Sequence, residues 1–138
     1  WFGLKYEFVY FYNVYGPGQI INSPMSAVIG IFEQQYKRKK PLTIVKPGTQ
    51  KRDFTHINDI VRGCYLAWKK GNQNHYMLGT QKNYSIIDIA RMFNTKIKYL
   101  PSRPGERFGS TILNNNAKKI LGYEAKINIK DNKKNIIK

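Results

Sequence analysis

The stretch at residues 48–59 carries side chains whose types and spacing could bind a phosphate. It follows the Pro47-Gly48 turn, passes the adjacent cations Lys51 and Arg52, alternates apolar and polar side chains at 54–57 and ends at the start of a helical pattern. A guanidinium held just before a strand can aim a bidentate donor at a phosphate from a rigid support. These residues alone also fit a simpler interpretation, in which Arg52 is a solvated surface residue before an ordinary βα unit.

The charge of the chain also favours anionic ligands. It has 24 Lys+Arg against 8 Asp+Glu, a formal net charge of +16 and a pI near 10. Such a balance is typical of proteins that bind nucleic acid, phosphorylated ligands or an acidic membrane surface. A composition rich in lysine and asparagine can also follow from codon bias, in which case much of the charge lies on solvated faces.

Length and composition exclude several classes of protein. The 138 residues suit one domain with a modest core. The single cysteine, Cys64, excludes an internal disulfide, and the distant His56 and His75 leave no zinc site. No run of 18 apolar residues and no signal-peptide pattern occurs, so we expect a cytoplasmic protein without a membrane span. The sequence begins at Trp1, in the middle of a residue pattern and without an initiator Met, so we expect it to be cut from a longer polypeptide.

Strand-like and helix-like patterns alternate along the chain, which predicts an α/β fold. The aromatic and β-branched run at residues 6–12 predicts a largely buried strand. Further strands are predicted at 42–45, 54–57, 75–79 and 97–100, and helices after Ser23-Pro24, Asn58, Ser85, Asn116 and Asp131. We expect the 6–12 strand to pair in parallel with the 54–57 strand.

Two of the predicted helices carry apolar residues at helical spacing, which we expect to face the core. The first begins with a Ser23-Pro24 cap, ends at the cations of 37–40, and has on its apolar face Met25, Val28, Ile29, Phe32 and Tyr36. The second runs from an Asn58 cap to Gly71 and has on one face Ile60, Val61, Cys64, Tyr65 and Trp68.

Three motifs occur in a fixed order along the chain. The first is Tyr12-Asn13-Val14-Tyr15-Gly16-Pro17, the second is the 48–59 stretch, which reads Gly-Thr-Gln-Lys-Arg-Asp-Phe-Thr-His-Ile-Asn-Asp, and the third is Arg103-Pro104-Gly105-Glu106, followed by Lys119 to Tyr123. They resemble the family patterns Phe-Asn-Val-Tyr-Gly-Pro, Gly-x-Gln-x-Arg-Asp-Phe-x-His-Val-x-Asp and Arg-Pro-Gly-Glu. Together they resemble the C-terminal half of the NAD-dependent epimerase/dehydratase family, extended short-chain dehydrogenases that act on nucleotide sugars.

The resemblance implies a domain assignment. Residues 1–138 are expected to be the C-terminal part of a Rossmann-type extended short-chain dehydrogenase with its small substrate-binding subdomain, and the NAD-binding part is expected to precede residue 1. No Gly-rich cofactor fingerprint occurs here. Tyr-x-x-x-Lys occurs at 36–40 and 65–69, but the family's catalytic pair precedes the first motif. We interpret both as coincidental and expect no catalytic residue in this chain.

The resemblance also implies roles for individual residues. The side-chain amide of Asn13 is expected to contact the nucleotide sugar, and Glu106 is expected to accept ribose hydroxyls. Arg52 and Arg103 are expected to clamp the diphosphate. A strand edge is expected beside the base at Leu42, Thr43 and Ile44, and a turn near the nicotinamide of NAD at Tyr12, Asn13 and Val14. Simpler alternatives are a local Asx-turn for Asn13 and a surface position for Arg103.

Two positions depart from the family pattern. Tyr10 stands where the family usually has an arginine, three residues before the motif asparagine, and Lys46-Pro47-Gly48 replaces a Gly-Asp-Gly turn. Both departures could change local packing or the base site without abolishing substrate binding.

Three functions are therefore open. The first is the substrate-binding half of an NAD-dependent nucleotide-sugar epimerase or dehydratase, inactive alone, that takes part in hydride exchange at a sugar carbon. The second is a free-standing basic α/β module that binds nucleic acid, suggested by the charge and by the cations at 37–40. The third is a degenerate relative kept for protein contacts. Arg52, Arg103 and Glu106 at family positions favour the first, and the aromatic residues do not interleave with cations as a base-stacking platform would.

The first function implies a set of partners. They are a nucleotide-diphosphate sugar, the protein's own N-terminal domain and a second copy in a homodimer, with no membrane and no nucleic acid. A chain of this kind should expose an apolar edge or face.

Overall fold

The computed structural model describes residues 2–109 and 114–137 and has a mixed α/β fold. In chain order the elements are β1 (Phe8–Phe11), β2 (Val14–Tyr15), α1 (Val28–Lys37), β3 (Leu42–Val45), β4 (Lys51–Asp53), β5 (Thr55–His56), α2 (Ile57–Lys70), β6 (His75–Leu78), β7 (Asn83–Ser85), α3 (Ile86–Met92), β8 (Ile97–Leu100), α4 (Asn116–Leu121) and α5 (Lys133–Ile136). Over these two ranges, no helix is long and apolar enough to cross a membrane.

The strands of the described residues form four two-stranded pairs, three of them parallel. The parallel pairs are β1 with β6, β2 with β5 and β3 with β8, and β4 pairs antiparallel with β7. The predicted pairing of 6–12 with 54–57 is wrong, because Asn13 has a φ of 29° and ends β1. The residues after this kink, Val14 and Tyr15, are the ones that pair with Thr55 and His56.

The core is divided into two clusters on either side of the motif strands. One cluster packs α1, β3 and α3 against the C-terminal segment and has as its buried members Tyr15, Ile29, Phe32, Leu42, Ile44, Phe54, Ile89, Ala90, Phe93, Ile129 and Ile136. The other packs α2, β6 and α4 and comprises Ile60, Ala67, Tyr76, Leu78, Ala117, Leu121 and Tyr123. Burying a large apolar side chain stabilises a fold by about 1.5–3 kcal/mol, so these clusters fix the strands that carry the motifs.

Helix α1 begins at Val28, several residues later than predicted. Ser23 Oγ accepts from the Met25 backbone N–H at 3.2 Å, and Ser26 Oγ accepts from the Ser23 N–H at 3.1 Å. These serines close a local turn that competes with helix formation. Met25 is consequently exposed and does not belong to the apolar face that the spacing predicted.

Helix α2 buries only part of the predicted face, since Ile60 lies in the core and Cys64 packs against it in part. Its N-cap is His56, not Asn58, and its buried residues are Asp59, Ile60, Gly63 and Ala67. Gly63 allows close approach, since a Cβ there would lie 2.6 Å from Leu78 Cδ1. Small residues therefore define the packed face of α2, and the larger side chains that were expected inside are exposed on the other face, namely Val61, Tyr65 and Trp68.

Strand β1 was predicted to be largely buried, and it is largely exposed. Phe8, Tyr10 and Phe11 lie in the open because only β6 pairs with this strand among the described residues. Together with the open face of α2, β1 gives the chain the exposed apolar surface that the sequence analysis expected.

Several predicted ends of elements are confirmed, and one is wrong. Ser85 caps α3 by accepting from the Asp88 N–H at 3.2 Å. Gly122 ends α4 in the left-handed conformation with φ 66°, which glycine adopts without steric penalty. The last helix has Asn132 at its N-cap and not Asp131, and neither side chain forms a cap there.

Candidate functional site

Arg52 and Glu106 form a partly buried ion pair although 54 positions separate them. Arg52 Nη2 lies 3.0 Å from Glu106 Oε1, and the two side chains are 19% and 23% exposed. Arg52 Nη1 also donates to the backbone carbonyls of Arg107 at 2.6 Å and Lys51 at 2.9 Å. Arg52 lies within β4 and not before a strand, because the predicted 54–57 strand is replaced by β4 and β5. Three acceptors therefore fix the guanidinium at one position.

The loop that carries Glu106 is attached to β4 through its backbone as well. Lys51 N–H donates to the Phe108 carbonyl at 2.9 Å, and Glu106 N–H donates to the Arg103 carbonyl at 3.4 Å in a turn at Gly105. Arg103 is exposed, and its side chain makes no hydrogen bond or ion pair with the described residues. The structure thus brings Arg52 and Glu106 into contact and places Arg103 on the same loop.

Lys51 differs from its neighbour Arg52 in environment. It is exposed, whereas Arg52 is half-buried, as expected for successive residues of an extended strand that point to opposite faces. Lys51 can therefore serve as a charge-matched control for Arg52.

Strand β3, which the family resemblance places beside the nucleotide base, is mostly buried. Leu42 and Ile44 are buried in the core, and only Thr43 of the three is partly accessible. The Gln35 side chain binds Thr43 twice, accepting from its N–H at 2.9 Å and donating to its Oγ1 at 2.7 Å. No sequence pattern indicated this role of Gln35. Gln35 therefore occupies part of the strand edge that would face a base.

The turn at Tyr12, Asn13 and Val14 lies directly beside β4. Asn13 Nδ2 donates to the Asp53 carbonyl at 3.1 Å, a contact across 40 positions and not the local Asx-turn. Tyr12 and Val14 are half-buried, and Val14 belongs to β2. The first motif is therefore adjacent to the residue that follows Arg52.

Two buried carboxylates of the second motif hold distant loops, a role that the sequence analysis missed. Asp53 accepts from the Thr80 N–H, the Thr80 Oγ1–H, the Gln81 N–H and the Thr55 Oγ1–H at distances of 2.7–3.3 Å. The one sequence feature that could indicate this role for Asp53 and Asp59 is that these acidic residues lie in a stretch flanked by apolar residues. Asp53 ties β4 to the turn before β7.

Asp59 does the same for the C-terminal segment. Its carboxylate accepts from the Lys126 N–H at 3.0 Å and the Ile127 N–H at 2.9 Å, and it pairs with Arg62 at 3.2 Å. Asp59 is 2% exposed. The start of α2 is thereby fixed to residues 126–127.

Two cavities are lined in part by the Gly16–Gln19 turn. One, of about 550 Å³, reaches from this turn to Glu33, His56 and the C-terminal segment. The other, of about 280 Å³, reaches from the turn to Val14, Met25 and Ala27. Both adjoin the first motif, and the larger one is in the size range of small-ligand sites.

Glu33 is the acidic side chain of the larger cavity. Its Oε1 accepts from Gln19 Nε2 at 2.8 Å, which joins α1 to the turn. Partial burial raises the pKa of the Glu33 carboxyl above its ordinary value, while the Gln19 bond and nearby Lys37 oppose the shift. The ionised form is therefore disfavoured in the folded protein.

Replacing Glu33 with glutamine should stabilise the protein at neutral pH. The folded state holds the Glu33 proton more tightly than the unfolded state, so stability of the native chain falls as pH rises from the ordinary pKa of 4.5 through the raised one. Glutamine keeps an oxygen for Gln19 and does not titrate. Thermal unfolding should show the gain at pH 7 and its disappearance near pH 4, and a gain of equal size at both pH values would contradict it.

The fold and the site together define a class of protein. Its strand pairs are mostly parallel, and the Arg52 guanidinium of β4 contacts the Glu106 carboxylate on the loop after β8. These two groups are of the kinds that can bind phosphate and hydroxyl groups, respectively. The chain belongs to the NAD dependent epimerase/dehydratase family, whose family model matches residues 1–79, more than half of its length.

Individual relatives agree with this assignment. The chain is 32% identical over 143 residues to the UDP-glucuronate 4-epimerase of Thermodesulfobacterium geofontis, with 99% of this chain and 43% of the relative covered. Its fold matches the UDP-glucose 4-epimerase of Thermotoga maritima, solved with UDP-glucose, at a TM-score of 0.89 and 28% identity, covering 98% of this chain and 45% of that one. The UDP-glucuronic acid 4-epimerase of Bacillus cereus, solved with UDP-glucuronic acid and NAD, matches at a TM-score of 0.81 and 28% identity, covering 94% and 43%. The chain spans less than half the length of each.

Proposed function

We propose that residues 1–138 are the substrate-binding part of an NAD-dependent enzyme that oxidises and reduces a sugar carbon of a nucleotide-diphosphate sugar. The observation that carries this proposal is the ion pair between Arg52 of β4 and Glu106, which lies on the loop that also bears Arg103. The full-length protein is the enzyme in this proposal, and this part alone is inactive.

The arginine and glutamate positions suit a nucleoside diphosphate. Arg52 is held in place by three acceptors, and Arg103 has a guanidinium that is not engaged by the described residues. A diphosphate placed between them would receive charge-assisted hydrogen bonds from both. It would also share Arg52 with Glu106, and a carboxylate oxygen of Glu106 could then accept from a ribose hydroxyl.

The other substrate contacts follow from the neighbouring segments. Asn13 lies against Asp53, one residue from Arg52, so its amide is near enough to meet the sugar attached to the diphosphate. The edge of β3 at Thr43 offers backbone groups for the base, and Leu42 and Ile44 lie behind it in the core. The Gln35 side chain, which accepts from the Thr43 N–H, must move aside or share this edge with the base. These residues bind and orient the substrate and exclude water from it.

The residues of this chain fit only one part of an NAD cofactor. Asn13 has its backbone in a left-handed turn and, with Tyr12 and Val14, could line the nicotinamide side of the site. No Gly-x-Gly-x-x-Gly occurs in the sequence, so the pyrophosphate of NAD must be held by other residues. NAD, when bound, would supply the acceptor and donor of hydride.

The exposed apolar surface supports the remaining partners of the proposal. Phe8, Tyr10 and Trp68 are large apolar side chains in the open, a pattern that marks an interaction surface. The partners proposed here are the protein's own N-terminal domain and a second copy in a homodimer. A cytoplasmic location, with neither membrane nor nucleic acid as a partner, completes the proposal.

Truncating the arginines tests the proposed function. Arg52→Ala and Arg103→Ala should each weaken UDP binding by about ten-fold or more, because each removes hydrogen bonds to a charged group worth about 1.5–3 kcal/mol. Calorimetric titration of the full-length protein with UDP measures the effect, and UDP is the probe because the relatives above act on or bind UDP-sugars.

Two further variants separate a fixed clamp from general positive charge. Lys51→Ala removes a neighbouring charge on the opposite face and should barely change the affinity. Arg52→Lys keeps the charge but loses the planar fork, so it should resemble Arg52→Ala. Equal losses in Lys51→Ala, Arg52→Ala and Arg103→Ala would instead indicate diffuse charge and favour the nucleic-acid alternative.

A further inference from the structure

We infer that Glu106 is a specificity-determining residue that makes Arg52 reject phosphate ligands without a neighbouring hydroxyl group. The inference rests on the proposed function and deepens it, because it names what decides which anions the site accepts. In the structure the Arg52 guanidinium is paired with the Glu106 carboxylate at 3.0 Å. A phosphate that reaches Arg52 therefore meets a negative charge that is already bound there.

Most of the hydrogen-bond donors of Arg52 are in use. Nη1 donates to the Lys51 carbonyl at 2.9 Å and to the Arg107 carbonyl at 2.6 Å, and Nη2 donates to Glu106 Oε1 at 3.0 Å. Of the five N–H groups of a guanidinium, these three bonds leave only those on Nη2 and Nε for a phosphate. Because both atoms belong to the same small planar group that binds Glu106, a phosphate there lies close to the carboxylate.

The surroundings of the ion pair make this proximity unfavourable. The Arg52 and Glu106 side chains are only 19% and 23% exposed, so water screens the repulsion between a carboxylate and a phosphate less than it would on an open surface. The loop at 103–108 contains two cations, Arg103 and Arg107, and Glu106 is its one acidic residue. The loop thus offers positive charge to a diphosphate and opposes the diphosphate with this carboxylate.

A ribose beside the diphosphate relieves the opposition. Over residues 2–109 and 114–137, Arg52 is the only group bonded to the Glu106 side chain. A partly buried carboxylate that gives up a guanidinium needs another donor, and ribose hydroxyls are donors that a carboxylate can accept. A nucleoside diphosphate can therefore satisfy Arg52 and Glu106 together, whereas inorganic pyrophosphate satisfies Arg52 alone.

The position of the loop does not depend on the Glu106 carboxylate alone. Lys51 N–H donates to the Phe108 carbonyl at 2.9 Å, and Arg52 Nη1 donates to the Arg107 carbonyl at 2.6 Å. Both bonds use backbone carbonyls of the loop, so they do not require the Glu106 side chain. Glu106→Gln keeps the length of the side chain and one acceptor oxygen but removes the negative charge. This substitution therefore isolates the effect of the charge.

Calorimetric titration of the full-length protein with inorganic pyrophosphate and with UDP at pH 7 tests the inference. NAD is kept saturating, so that pyrophosphate cannot enter the cofactor site. Glu106→Gln should strengthen pyrophosphate binding by about five-fold or more, the lower end of the range for coupled sites, and should not strengthen UDP binding. Damage to the fold would weaken both ligands and could not produce a gain for pyrophosphate.

Two further variants locate the effect. Glu124→Gln is the matched control, because it removes one negative charge from the exposed pair with Lys118 and should change neither affinity. Arg52→Ala combined with Glu106→Gln should abolish the gain in pyrophosphate affinity, since the gain arises at the Arg52 guanidinium. A gain that persists without Arg52 would contradict the inference.

A pair of ligands without a base gives a test on the native protein that does not depend on any variant folding. Ribose 5-diphosphate carries the hydroxyl groups next to the diphosphate, and methyl diphosphate has none. The ribose compound should bind more tightly by about five-fold or more. Equal affinities for the two compounds would overturn the inference.

The outcomes separate this inference from the proposed function. If UDP binding depends on Arg52 and Arg103, but Glu106→Gln leaves pyrophosphate binding unchanged or strengthens both ligands alike, the inference is overturned and the proposed function stands. If the native protein does not bind UDP, the proposed function fails and the inference fails with it.

Discussion

Replacing Asp59 with asparagine is expected to lower the free energy of unfolding by about 3 kcal/mol. The Asp59 carboxylate accepts from the Lys126 and Ile127 N–H groups and pairs with Arg62 while only 2% of the residue is exposed. Asparagine keeps one oxygen but turns an NH₂ group toward N–H donors, so at least one buried donor loses its acceptor. The arginine also loses its ionic partner.

The measurement is urea unfolding of the native and variant chains under the same conditions. Glu124→Gln is the matched control, since Glu124 forms an exposed ion pair with Lys118 at 3.4 Å, with 74% and 61% of the side chains exposed. That change should lower stability by less than about 1 kcal/mol. A similar small loss for Asp59→Asn would show that the C-terminal segment does not depend on this carboxylate.

Local sequence signals predicted those parts of the fold that depend on neighbouring residues. Ser85 and Asp88 form the predicted cap because the bonds join residues three apart, and Gly122 ends α4 because only the backbone of that residue must turn. The predicted strands at 42–45 and 97–100 are also present, as the parallel pair β3 and β8.

The wrong predictions arise where distant residues decide. Helical spacing on α2 predicted one buried face that included Tyr65 and Trp68, whereas the packed face contains Gly63, which fits against Leu78 and Tyr123 outside this helix. The apolar character of β1 was read correctly, but its burial depends on what covers it, and β6 is its neighbour in the described structure. Neither the packed face nor the burial can be obtained from the pattern of one segment.

In the candidate site, too, some features follow from neighbouring residues and others depend on residues distant in sequence. That Arg52 could bind a phosphate was predicted from the residues of one stretch. Its contact with Glu106 spans 54 positions, and only the family resemblance implied that the two residues belong to one site. The Gln35 bonds to Thr43 had no sequence signal, because a glutamine near the end of a helix has many possible roles.

Asp53→Asn is expected to lower the free energy of unfolding by about 3 kcal/mol as well, and to weaken nucleotide binding. Asp53 is 2% exposed, and its two oxygens are occupied by donors from Thr80, Gln81 and Thr55. An amide cannot accept from donors on both sides, so the N–H of Thr80 or of Gln81 would lose its acceptor. Because these bonds fix the strand that carries Arg52, and the Asp53 carbonyl holds Asn13, their loss should also disturb the diphosphate and sugar contacts.

Urea unfolding and UDP titration of the full-length protein, carried out on one preparation, measure the two effects together. Glu124→Gln again serves as the control, since the Glu124 side chain is exposed and pairs with Lys118 outside the motif, so this change should lower stability by less than about 1 kcal/mol and leave UDP affinity unchanged. Weakened UDP binding should persist for Asp53→Asn at temperatures where the variant is fully folded. If a folded Asp53→Asn protein binds UDP as tightly as the native protein, then Asp53 stabilises the β4 connection without positioning Arg52, because a displaced guanidinium could not retain its full affinity for the diphosphate.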